Sequence, residues 1–454
     1  MTNTSPVRNP DQRDTGVMTK RAWILVLLNL LIPGSAQLLA GNRRLGRFGV
    51  GSTFVLWGIV IAALLAFWLV QAQFITVATN YFVLWVIQAA VVFYAVLWVV
   101  LAVDALRLVR LVRVAPAARG LVASLAIVGM LAVGGAGAYG AMVASVTRST
   151  IGTIFGAGQV EAPVDGRYNI LLLGGDAGPD RSGLRPDSIS VVSVEAATGK
   201  TTIFGLPRNL ANVPFPADSP LAALYPNGYG YSGCAVDVCM LNSLYTEVML
   251  KSPELYPDAE AVGSSPGIEA MRDAAAGALG LTIQYYVLID MQGFSELIDA
   301  LGGVTIDSPE RYPIDGYLDA NGQIAGNQGW IEPGVQQMDG FTALWYARSR
   351  YTSDDYDRMQ RQRQVQEAIL RQFEPANVLT KFQGIAEAGA DVVRTDIPQG
   401  MLGAFVDLAT KARDQEIASV EMVPPNIDPE QPDYPYMLEL VAAATVLTTD
   451  GDAP

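Results

Sequence analysis

Carboxylates and an arginine stand where an apolar run stops in the stretch NILLLGGDAGPDRSGLRPDSISVVSV, residues 169–194. The apolar segment 170–173 breaks at two glycines and leads to Asp176, while Arg185 and Asp187 come just before the next apolar segment. Two carboxylates at strand ends can bind a hard divalent cation through oxygen, and Mg²⁺ then takes substrate phosphates as further ligands. The alternative is a pair of ordinary turn aspartates, which the GPDRSG composition favours.

A second group of charged side chains lies in YARSRYTSDDYDRMQRQRQ, residues 346–364. Its arginines are Arg348, Arg350, Arg358, Arg361 and Arg363. A guanidinium group matches carboxylate or phosphate oxygens bidentately, and a buried one must be paired. From residue 358 onward, arginine and glutamine occupy the helical stripe that becomes apolar further along, so this face is expected to turn inward. The alternative is a solvated helix start in which the arginines pair with neighbouring aspartates.

The sequence contains no histidine, which excludes Ser-His-Asp and Cys-His catalysis and the usual histidine-rich zinc sites. It also contains no GxxxxGK[ST] motif, which excludes a P-loop. Carboxylates, arginines and the backbone remain as the groups that could do chemistry. Together they favour a metal–pyrophosphate site, because phosphoryl transfer depends mainly on charge neutralisation and alignment.

Alternating strand and helix patterns must position these residues. Strands are expected at 170–173, 189–194, 202–206, 285–289 and 304–306, and helices at 268–279, 294–301, 357–373 and 438–447. Residues 196–200 form a turn between two strands, whereas 315–334 and 424–436 are expected to be irregular. Mixed elements in this order predict a central sheet flanked by helices.

The first third of the chain has a different composition. Residues 1–148 hold 12 basic and 3 acidic residues, whereas 149–454 hold 18 and 41. Segments 48–70, 81–103 and 121–146 are uncharged, apolar and long enough to cross a bilayer as helices. The sequence therefore predicts a membrane region over 22–147, preceded by a tail over 1–21 and followed by a linker over 148–165.

Charges in the connecting segments predict the topology. The links 42–47 and 104–120 carry several arginines, and the link 71–80 carries no charge. By the positive-inside rule the basic links and the tail are cytoplasmic, so the region after the third span lies outside the cytoplasm in a multi-pass membrane protein. Segment 22–40 is interrupted by Pro33-Gly34 and is expected to be a re-entrant or interfacial hairpin, with a fourth span as the alternative.

Two cysteines, Cys234 and Cys239, lie close together in the outer region. Outside the cytoplasm such a pair is more often a disulfide than a metal site, which would need further cysteine or histidine ligands. A disulfide here would close a small loop and stabilise it locally.

The outer region resembles the LytR–CpsA–Psr (LCP) domain over about 166–423. The resemblance rests on NILLLGGD…LRPDSISVVSVEAATGKTTIFGLPRNL, on GIEAMRDAAAGALGLTIQYYVLIDMQGFSELIDALGGVTIDSPE, and on MDGFTALWYARSRYTSDDYDRMQRQRQV. It implies an extracytoplasmic α/β/α layered domain with a mixed central β-sheet and an apolar pocket for a prenyl chain. Residues 424–454 are then a C-terminal extension.

The resemblance also implies an activity. LCP proteins are membrane-anchored phosphotransferases that move a glycopolymer from a polyprenyl-pyrophosphate carrier onto peptidoglycan, forming a phosphodiester. The expected partners are the carrier-linked glycan, the peptidoglycan acceptor and the membrane, with no nucleic acid, and the expected cofactor is Mg²⁺ or Mn²⁺. A pyrophosphatase acting on the same lipids and a non-catalytic lipid-binding scaffold remain as alternatives, since all three would use the same site.

Site residues follow from the resemblance position by position. Asp176 and Asp187 match the pair that holds the metal, and they are expected to be catalytic together with Arg208, Arg348 and Arg350. The matched pyrophosphate-binding residues are Arg185, Arg208, Arg348, Arg350, Arg358, Arg361 and Gln362. Asp355 matches a supporting acidic residue.

One position departs from the family pattern. The family commonly has Pro-Arg-Asp where this chain has Pro207-Arg208-Asn209. Asn209 can accept a hydrogen bond but cannot act as a base. If a proton acceptor is needed, Asp176 or Asp187 is therefore the better candidate, and the base is left unassigned.

Overall fold

The computed structural model describes residues 7–155, 160–175, 185–230, 232–349, 354–372 and 393–448. The chain divides into two compact units, Met1–Ser149 and Thr150–Pro454. The first unit contains the helices α1 (Thr15–Leu31), α2 (Ser35–Ala40), α3 (Arg43–Leu69), α4 (Gln71–Ala78), α5 (Tyr81–Val109) and the start of α6 (Pro116–Ile154).

Three helices in the described part of the chain are long and apolar enough to cross a membrane: Arg43–Leu69, Tyr81–Arg113 and Pro116–Ser149. Each overlaps one of the three predicted segments. Side-chain oxygens of Asn42 and Asn80 accept hydrogen bonds from the first amides of α3 and α5, which satisfies donors that a helix start leaves without partners. Helix α6 runs to Ile154, so part of the predicted linker is helical.

The α1–α2 segment forms a helical hairpin that breaks at Pro33-Gly34. Gly34 has φ of 96°, and a Cβ there would lie 2.6 Å from the backbone nitrogen of Val50. Only glycine allows both this backbone conformation and this close approach of α3. The break expected from the sequence therefore turns the chain back along its neighbours. That the hairpin is re-entrant or interfacial in a membrane, and not a fourth span, stays a prediction.

Both ends of the hairpin lie beside the connection from α5 to α6. The hydroxyl of Thr19 accepts a hydrogen bond from the amide of Ala115 at 3.0 Å, and Gly41 lies against the side chain of Leu108. The buried guanidinium of Arg21 donates to the carbonyl oxygen of Leu108 at 2.6 Å. The hairpin thus begins and ends at one end of the helical unit, the end that carries the basic links.

The second unit contains twelve described strands and eight described helices. The strands are β1 (Arg167–Gly175), β2 (Pro186–Glu195), β3 (Thr201–Leu206), β4 (Tyr285–Asp290), β5 (Val304–Ser308), β6 (Tyr312–Ile314), β7 (Tyr317–Leu318), β8 (Ile324–Ala325), β9 (Gly329–Ile331), β10 (Gly334–Met338), β11 (Val393–Thr395) and β12 (Ile417–Glu421). The helices are α7 (Pro220–Leu224), α8 (Leu244–Lys251), α9 (Pro266–Leu279), α10 (Met291–Leu301), α11 (Gly340–Arg348), α12 (Asp355–Arg371), α13 (Leu402–Arg413) and α14 (Tyr434–Ala444).

The central sheet is mixed and has the order β11-β4-β1-β2-β3-β12. Strands β1–β2, β2–β3 and β11–β4 pair antiparallel, whereas β1–β4 and β12–β3 pair parallel. The turn after residue 195 sets the register of β2 and β3, in which Ile189 pairs with Leu206. This register brings the first residues of β2 next to the residues just after β3.

Helices cover both faces of this sheet, which gives the predicted α/β/α layers. On one face, Leu171, Leu173 and Val191 pack in the main core with residues of α8, α9 and α14. On the other face, Val192, Val194 and Ile203 pack against residues of α12 and α13. Met437 and Val441 of α14 belong to the main core, so the compact unit continues past the boundary expected at residue 423.

One expectation for the region after α10 needs correction. The strand expected at 304–306 is β5, which pairs with β10 outside the central sheet. The region 315–334, expected to be irregular, contains the short pair β7–β8 and strand β9, which pairs with β6 just before the region. Gly316, Gly322 and Gly326 supply positive φ values at the turns, which lets this polar segment fold back on itself.

Helix α12 begins two residues earlier than expected. Asp354 caps it, accepting hydrogen bonds from the amides of Tyr356 and Asp357, and the Asp357 carboxylate accepts from the amide of Asp354. Asp355 therefore lies in the first turn rather than before it. The predicted end at residue 373 lies outside the described residues.

A buried ion pair ties α12 to the sheet, and its loss should be measurable. Arg363 contacts Glu421 of β12 at 3.1 Å, and their side chains are 5% and 20% exposed. Burial raises the pKa of Glu421, although Arg363 opposes the shift. Glu421→Gln is expected to lower the free energy of unfolding by about 3 kcal/mol, because Arg363 is left buried without its counter-charge. Denaturant unfolding of the purified chain measures this change.

A double variant provides the control for this pair. Arg363→Met combined with Glu421→Leu leaves no buried charge and is expected to recover much of the lost stability. Equal losses in the single and double variants would show that packing, and not charge, is responsible.

Candidate active site

Asp187 and Arg208 face each other across neighbouring strands. Ile189 of β2 pairs with Leu206 of β3. Asp187 lies two residues before Ile189, and Arg208 lies two residues after Leu206. Residues placed in this way lie on the same side of an antiparallel pair. The guanidinium Nη1 of Arg208 donates to Asp187 Oδ1 at 2.9 Å, and each side chain is about a quarter exposed.

Helix α12 supplies the next two charged groups. Asp355 accepts from Arg208 Nε at 3.4 Å and contacts Arg358 at 3.1 Å. Arg358 is 3% exposed and its Nη2 also donates to the main-chain oxygen of Asp187 at 3.3 Å. Carboxylates and guanidinium groups thus alternate in a connected cluster, here called the Asp187 cluster: Asp187, Arg208, Asp355 and Arg358.

The Asp187 cluster holds Arg208 in its charged form. Burial alone would lower the pKa of Arg208, but the hydrogen bond and charge of Asp187, together with the charge of Asp355, outweigh burial and raise it. The two carboxylates also fix the orientation of the guanidinium. A charged, oriented arginine at the edge of a core is suited to binding an oxyanion.

The apolar core begins next to this cluster. Ile189 and Leu206, each two residues from a member of the cluster, are buried in the main core with Leu171 and Leu173. The second strand therefore starts at the point where a polar site meets an apolar interior.

Sequence reasoning missed Asn242, which also belongs to this site. Its Nδ2 donates to Asp187 Oδ1 at 3.2 Å, and its main-chain amide donates to the carbonyl oxygen of Arg208 at 3.1 Å. Asn242 lies in a short 3₁₀ turn before α8 and is 5% exposed. No local signal marks it, because its role depends on contacts with strands more than 30 residues away.

The other predicted arginines lie in different surroundings. Arg361 is fully buried, stacks over the ring of Tyr312 at 4.2 Å and donates to the main-chain oxygen of Ser349. Arg348 is exposed and stacks over the ring of Trp345 at 4.7 Å. Arg361 therefore has contacts typical of a supporting residue, whereas Arg348 is available to a ligand.

Gln362 and Arg185 complete the set that can be placed. Gln362 Nε2 donates to the carbonyl oxygen of Ala347 at 3.3 Å, which holds the end of α11 against α12. Arg185 is exposed just before β2. Asp176 and Arg350 lie outside the described residues, so their predicted roles stay predictions.

Comparison with known proteins identifies the family. The model of the LytR_cpsA_psr family matches residues 142–444, more than half of the chain. The chain belongs to the LytR_cpsA_psr family. The match extends to the end of α14, in agreement with the packing of that helix in the main core.

Individual LytR_cpsA_psr relatives are more distant. A protein of Halalkalibacterium halodurans named polyisoprenyl-teichoic acid–peptidoglycan teichoic acid transferase TagU is 35% identical over 133 residues, 29% of this chain and 40% of the relative. Biofilm regulatory protein A of Streptococcus mutans is 27% identical over 237 residues, 51% of this chain and 50% of the relative. The chain thus spans 40 to 50% of the length of these two relatives.

Solved structures of similar proteins include TagV of B. subtilis, with a TM-score of 0.42 and 20% identity over 61% of this chain and 95% of that one. A LytR-Csp2A-Psr enzyme from Actinomyces oris has a TM-score of 0.41 and 20% identity over 64% of this chain and 94% of that one.

In this LytR_cpsA_psr chain, a disulfide closes the loop that precedes Asn242. Cys234 and Cys239 are bonded, with their Cα atoms 5.5 Å apart. Glu247 of α8 anchors the loop by accepting a hydrogen bond from the amide of Ala235 at 3.0 Å. It also accepts from the hydroxyl of Tyr229 at 2.8 Å. The loop is therefore fixed both covalently and through a buried carboxylate.

Reduction of this disulfide is expected to lower stability modestly. The closed loop is short, and the chain-entropy model gives about 2 kcal/mol for it. Thermal unfolding of the wild type should shift to lower temperature when a reductant is added. The variant Cys234→Ser/Cys239→Ser should start at that lower temperature and not respond to reductant, so an equal shift in both would contradict the prediction.

Proposed function

We propose that this protein transfers a phosphate-linked glycopolymer from a polyprenyl-pyrophosphate carrier onto peptidoglycan. The observation that carries the proposal is the Asp187 cluster at the edge of an apolar core. Membership of the LytR_cpsA_psr family supports it. The TagU relative supports it as well, because its name describes a teichoic acid transferase acting between a polyisoprenyl carrier and peptidoglycan.

The reaction exchanges one phosphate ester linkage for another. A hydroxyl oxygen of the acceptor glycan bonds to the phosphorus that carries the polymer, and the bridging P–O bond of the pyrophosphate breaks. Polyprenyl phosphate leaves with that bridging oxygen, and the hydroxyl proton passes to a base. The product is a phosphodiester between polymer and acceptor, so atoms and charge balance without an oxidant or reductant.

Arg208 and Arg358 are suited to neutralise the charge on the phosphate oxygens. Both are held by carboxylates, so their positions are set before a substrate arrives. Such preorganised positive charge favours a transition state in which negative charge spreads over phosphate oxygens. Arg348, exposed at the end of α11, adds a further positive charge for the same ligand. The hydrocarbon chain of the carrier would bind against the apolar residues that border the cluster.

The donor atoms at the site fit a hard cation such as Mg²⁺ or Mn²⁺. They are oxygens of Asp187 and Asp355, together with the buried amide oxygens of Asn209 and Asn242, which have no hydrogen-bond partner in the described part of the chain. The described residues contain no group of three His, Cys, Asp or Glu side chains suited to a metal. Mg²⁺ needs only one or two carboxylates when phosphates and waters complete its shell. Asp187, with Asp176, would hold it, and the cation would neutralise pyrophosphate charge.

We further propose that the second unit lies outside the cytoplasm. The arginines at the start of α3 and around the connection from α5 to α6 favour the cytoplasmic side, which leaves the C-terminal end of α6 on the opposite side. That is the side on which peptidoglycan is available as acceptor. Reporter fusions after residue 113 and after residue 448 should show opposite sidedness.

Acceptor dependence tests the proposed reaction. The full chain in detergent receives a polyprenyl-pyrophosphate-linked oligosaccharide, Mg²⁺ and peptidoglycan fragments, and mass spectrometry follows the sugar. A sugar phosphate joined to the acceptor is the expected product. Hydrolysis that proceeds equally without acceptor would overturn the proposal and show that the protein is a lipid pyrophosphatase. Lipid that is bound but left unchanged would overturn it in favour of a lipid-binding protein.

A further inference from the structure

Asn242 contacts both partners of the Asp187–Arg208 pair through different parts of the same residue. Its side-chain amide donates to Asp187 Oδ1, and its main-chain amide donates to the carbonyl oxygen of Arg208. The acid and the arginine come from different strands, β2 and the end of β3. One residue from a third element thus holds the two against each other.

The donor on Asn242 adds a hydrogen bond without adding charge. Asp187 Oδ1 accepts from Arg208 at 2.9 Å and from Asn242 at 3.2 Å. Two donors on one carboxylate oxygen restrict its rotation more than one ion pair does. A cationic donor in place of Asn242 would compete with Arg208, whereas the neutral amide leaves the charge balance of the Asp187 cluster intact.

Burial gives this contact its strength. Asn242 is 5% exposed, so water does not replace the hydrogen bond when it is lost. Its turn is tied down on both sides: the Cys234–Cys239 loop lies before it, and Leu241 and Leu244 are buried in the main core. The position of the amide is therefore set by the fold and not by the contact with Asp187.

The side-chain oxygen of Asn242 also indicates that this residue belongs to the site. Asn242 Oδ1 is buried and has no hydrogen-bond partner among the described residues. A buried polar atom of this kind is usually bound by an ordered water or an ion, or belongs to a functional site. Packing alone would be served as well by leucine, which has nearly the same shape and no polar atoms.

We propose that Asn242 is a positioning residue for pyrophosphate binding: it orients the Asp187 carboxylate and fixes the main chain at Arg208. This inference rests on the proposed function, because it assigns Asn242 to the site that binds the pyrophosphate carrier. The charged residues in contact with it are Asp187 and Arg208, and Asp355 and Arg358 of α12 contact these two in turn. Asn242 acts through Asp187 and Arg208.

A double-mutant cycle tests this role without requiring turnover. The full chain in detergent is titrated with geranylgeranyl pyrophosphate and Mg²⁺, and the apparent Kd is measured for the wild type, Asn242→Ala, Asp187→Ala and the double variant. Asn242→Ala is expected to weaken binding about 10-fold in the wild type and less than about 2-fold in the Asp187→Ala background, where the acceptor of its hydrogen bond is missing. Such non-additivity identifies residues that act through one contact.

Two further variants separate positioning from packing. Asn242→Leu keeps the branched shape and the number of heavy atoms of the side chain and is expected to weaken binding as much as Asn242→Ala. Ser243→Ala changes the adjacent buried residue, whose Oγ has no hydrogen-bond partner among the described residues, and is expected to leave the Kd unchanged. Additive effects of Asn242 and Asp187 variants, or normal binding by Asn242→Leu, would overturn the inference while leaving the proposed function intact. Absence of pyrophosphate binding by the wild type would overturn both.

Discussion

Asp187→Asn is expected to lower the rate of glycopolymer transfer by about 100- to 1000-fold while the protein remains folded. Asparagine keeps the shape of the side chain and an oxygen that can accept from Arg208 and Asn242. It removes the negative charge that orients Arg208 and that would help to hold the cation. The loss should therefore fall on catalysis and on metal-dependent binding, and not on the core next to Ile189.

A matched substitution makes this result interpretable. Asp218→Asn changes an exposed aspartate in the same unit and should leave transfer unchanged. Circular dichroism and thermal unfolding of Asp187→Asn should resemble those of the wild type. Unchanged turnover of Asp187→Asn in the presence of Mg²⁺ would remove Asp187 from the mechanism.

The edge of the sheet that carries the site could be predicted from the sequence because its signals are local. Short apolar segments mark β1 and β3, partly alternating apolar residues mark β2, and a five-residue turn joins β2 and β3. A short turn fixes the register of an antiparallel pair, so the neighbourhood of Asp187 and Arg208 follows from the sequence itself. The inward stripe of α12 likewise placed Arg358 on the buried face of its helix.

Elements fixed by distant contacts could not be predicted in this way. Strands β11 and β12 are short, and they are strands only because β4 and β3 offer edges for them to pair with. The end of α11 is held by Gln362, which lies on the next helix. Asn242 depends on two strands that precede it by more than 30 residues. Sequence patterns indicate the local periodicity and polarity of a segment. They do not indicate which distant residues a buried side-chain amide will contact.

The two buried arginines of α12 illustrate the same limit. Arg358 and Arg361 are one turn apart on one stripe, and the sequence gives no reason to treat them differently. In the structure Arg358 joins the Asp187 cluster, whereas Arg361 stacks over Tyr312 and donates to Ser349. Spacing along a helix places both on the inner face, but the neighbouring elements decide which one borders the site.

Arg208 and Arg361 are therefore expected to respond in opposite ways when they are replaced by alanine. Arg208→Ala should weaken binding of geranylgeranyl pyrophosphate about 100-fold, because it removes a charged hydrogen-bond donor held toward the ligand. Its effect on unfolding should stay below about 1 kcal/mol, since the ion pair with Asp187 is partly exposed and screened by solvent. Isothermal titration and denaturant unfolding of the same preparations measure both quantities.

Arg361→Ala should instead lower the free energy of unfolding by about 3 kcal/mol, because it deletes a fully buried side chain together with its ring contact and its hydrogen bond to Ser349. Binding measured well below the unfolding midpoint should change far less than in Arg208→Ala. Arg361→Leu refines the result: leucine restores apolar contact with Tyr312 but not the hydrogen bond, so it should recover part of the stability. A stable Arg361→Ala that fails to bind pyrophosphate would place Arg361 in the site, as the family resemblance implied, and would assign the contact with Tyr312 to the ligand-free protein alone.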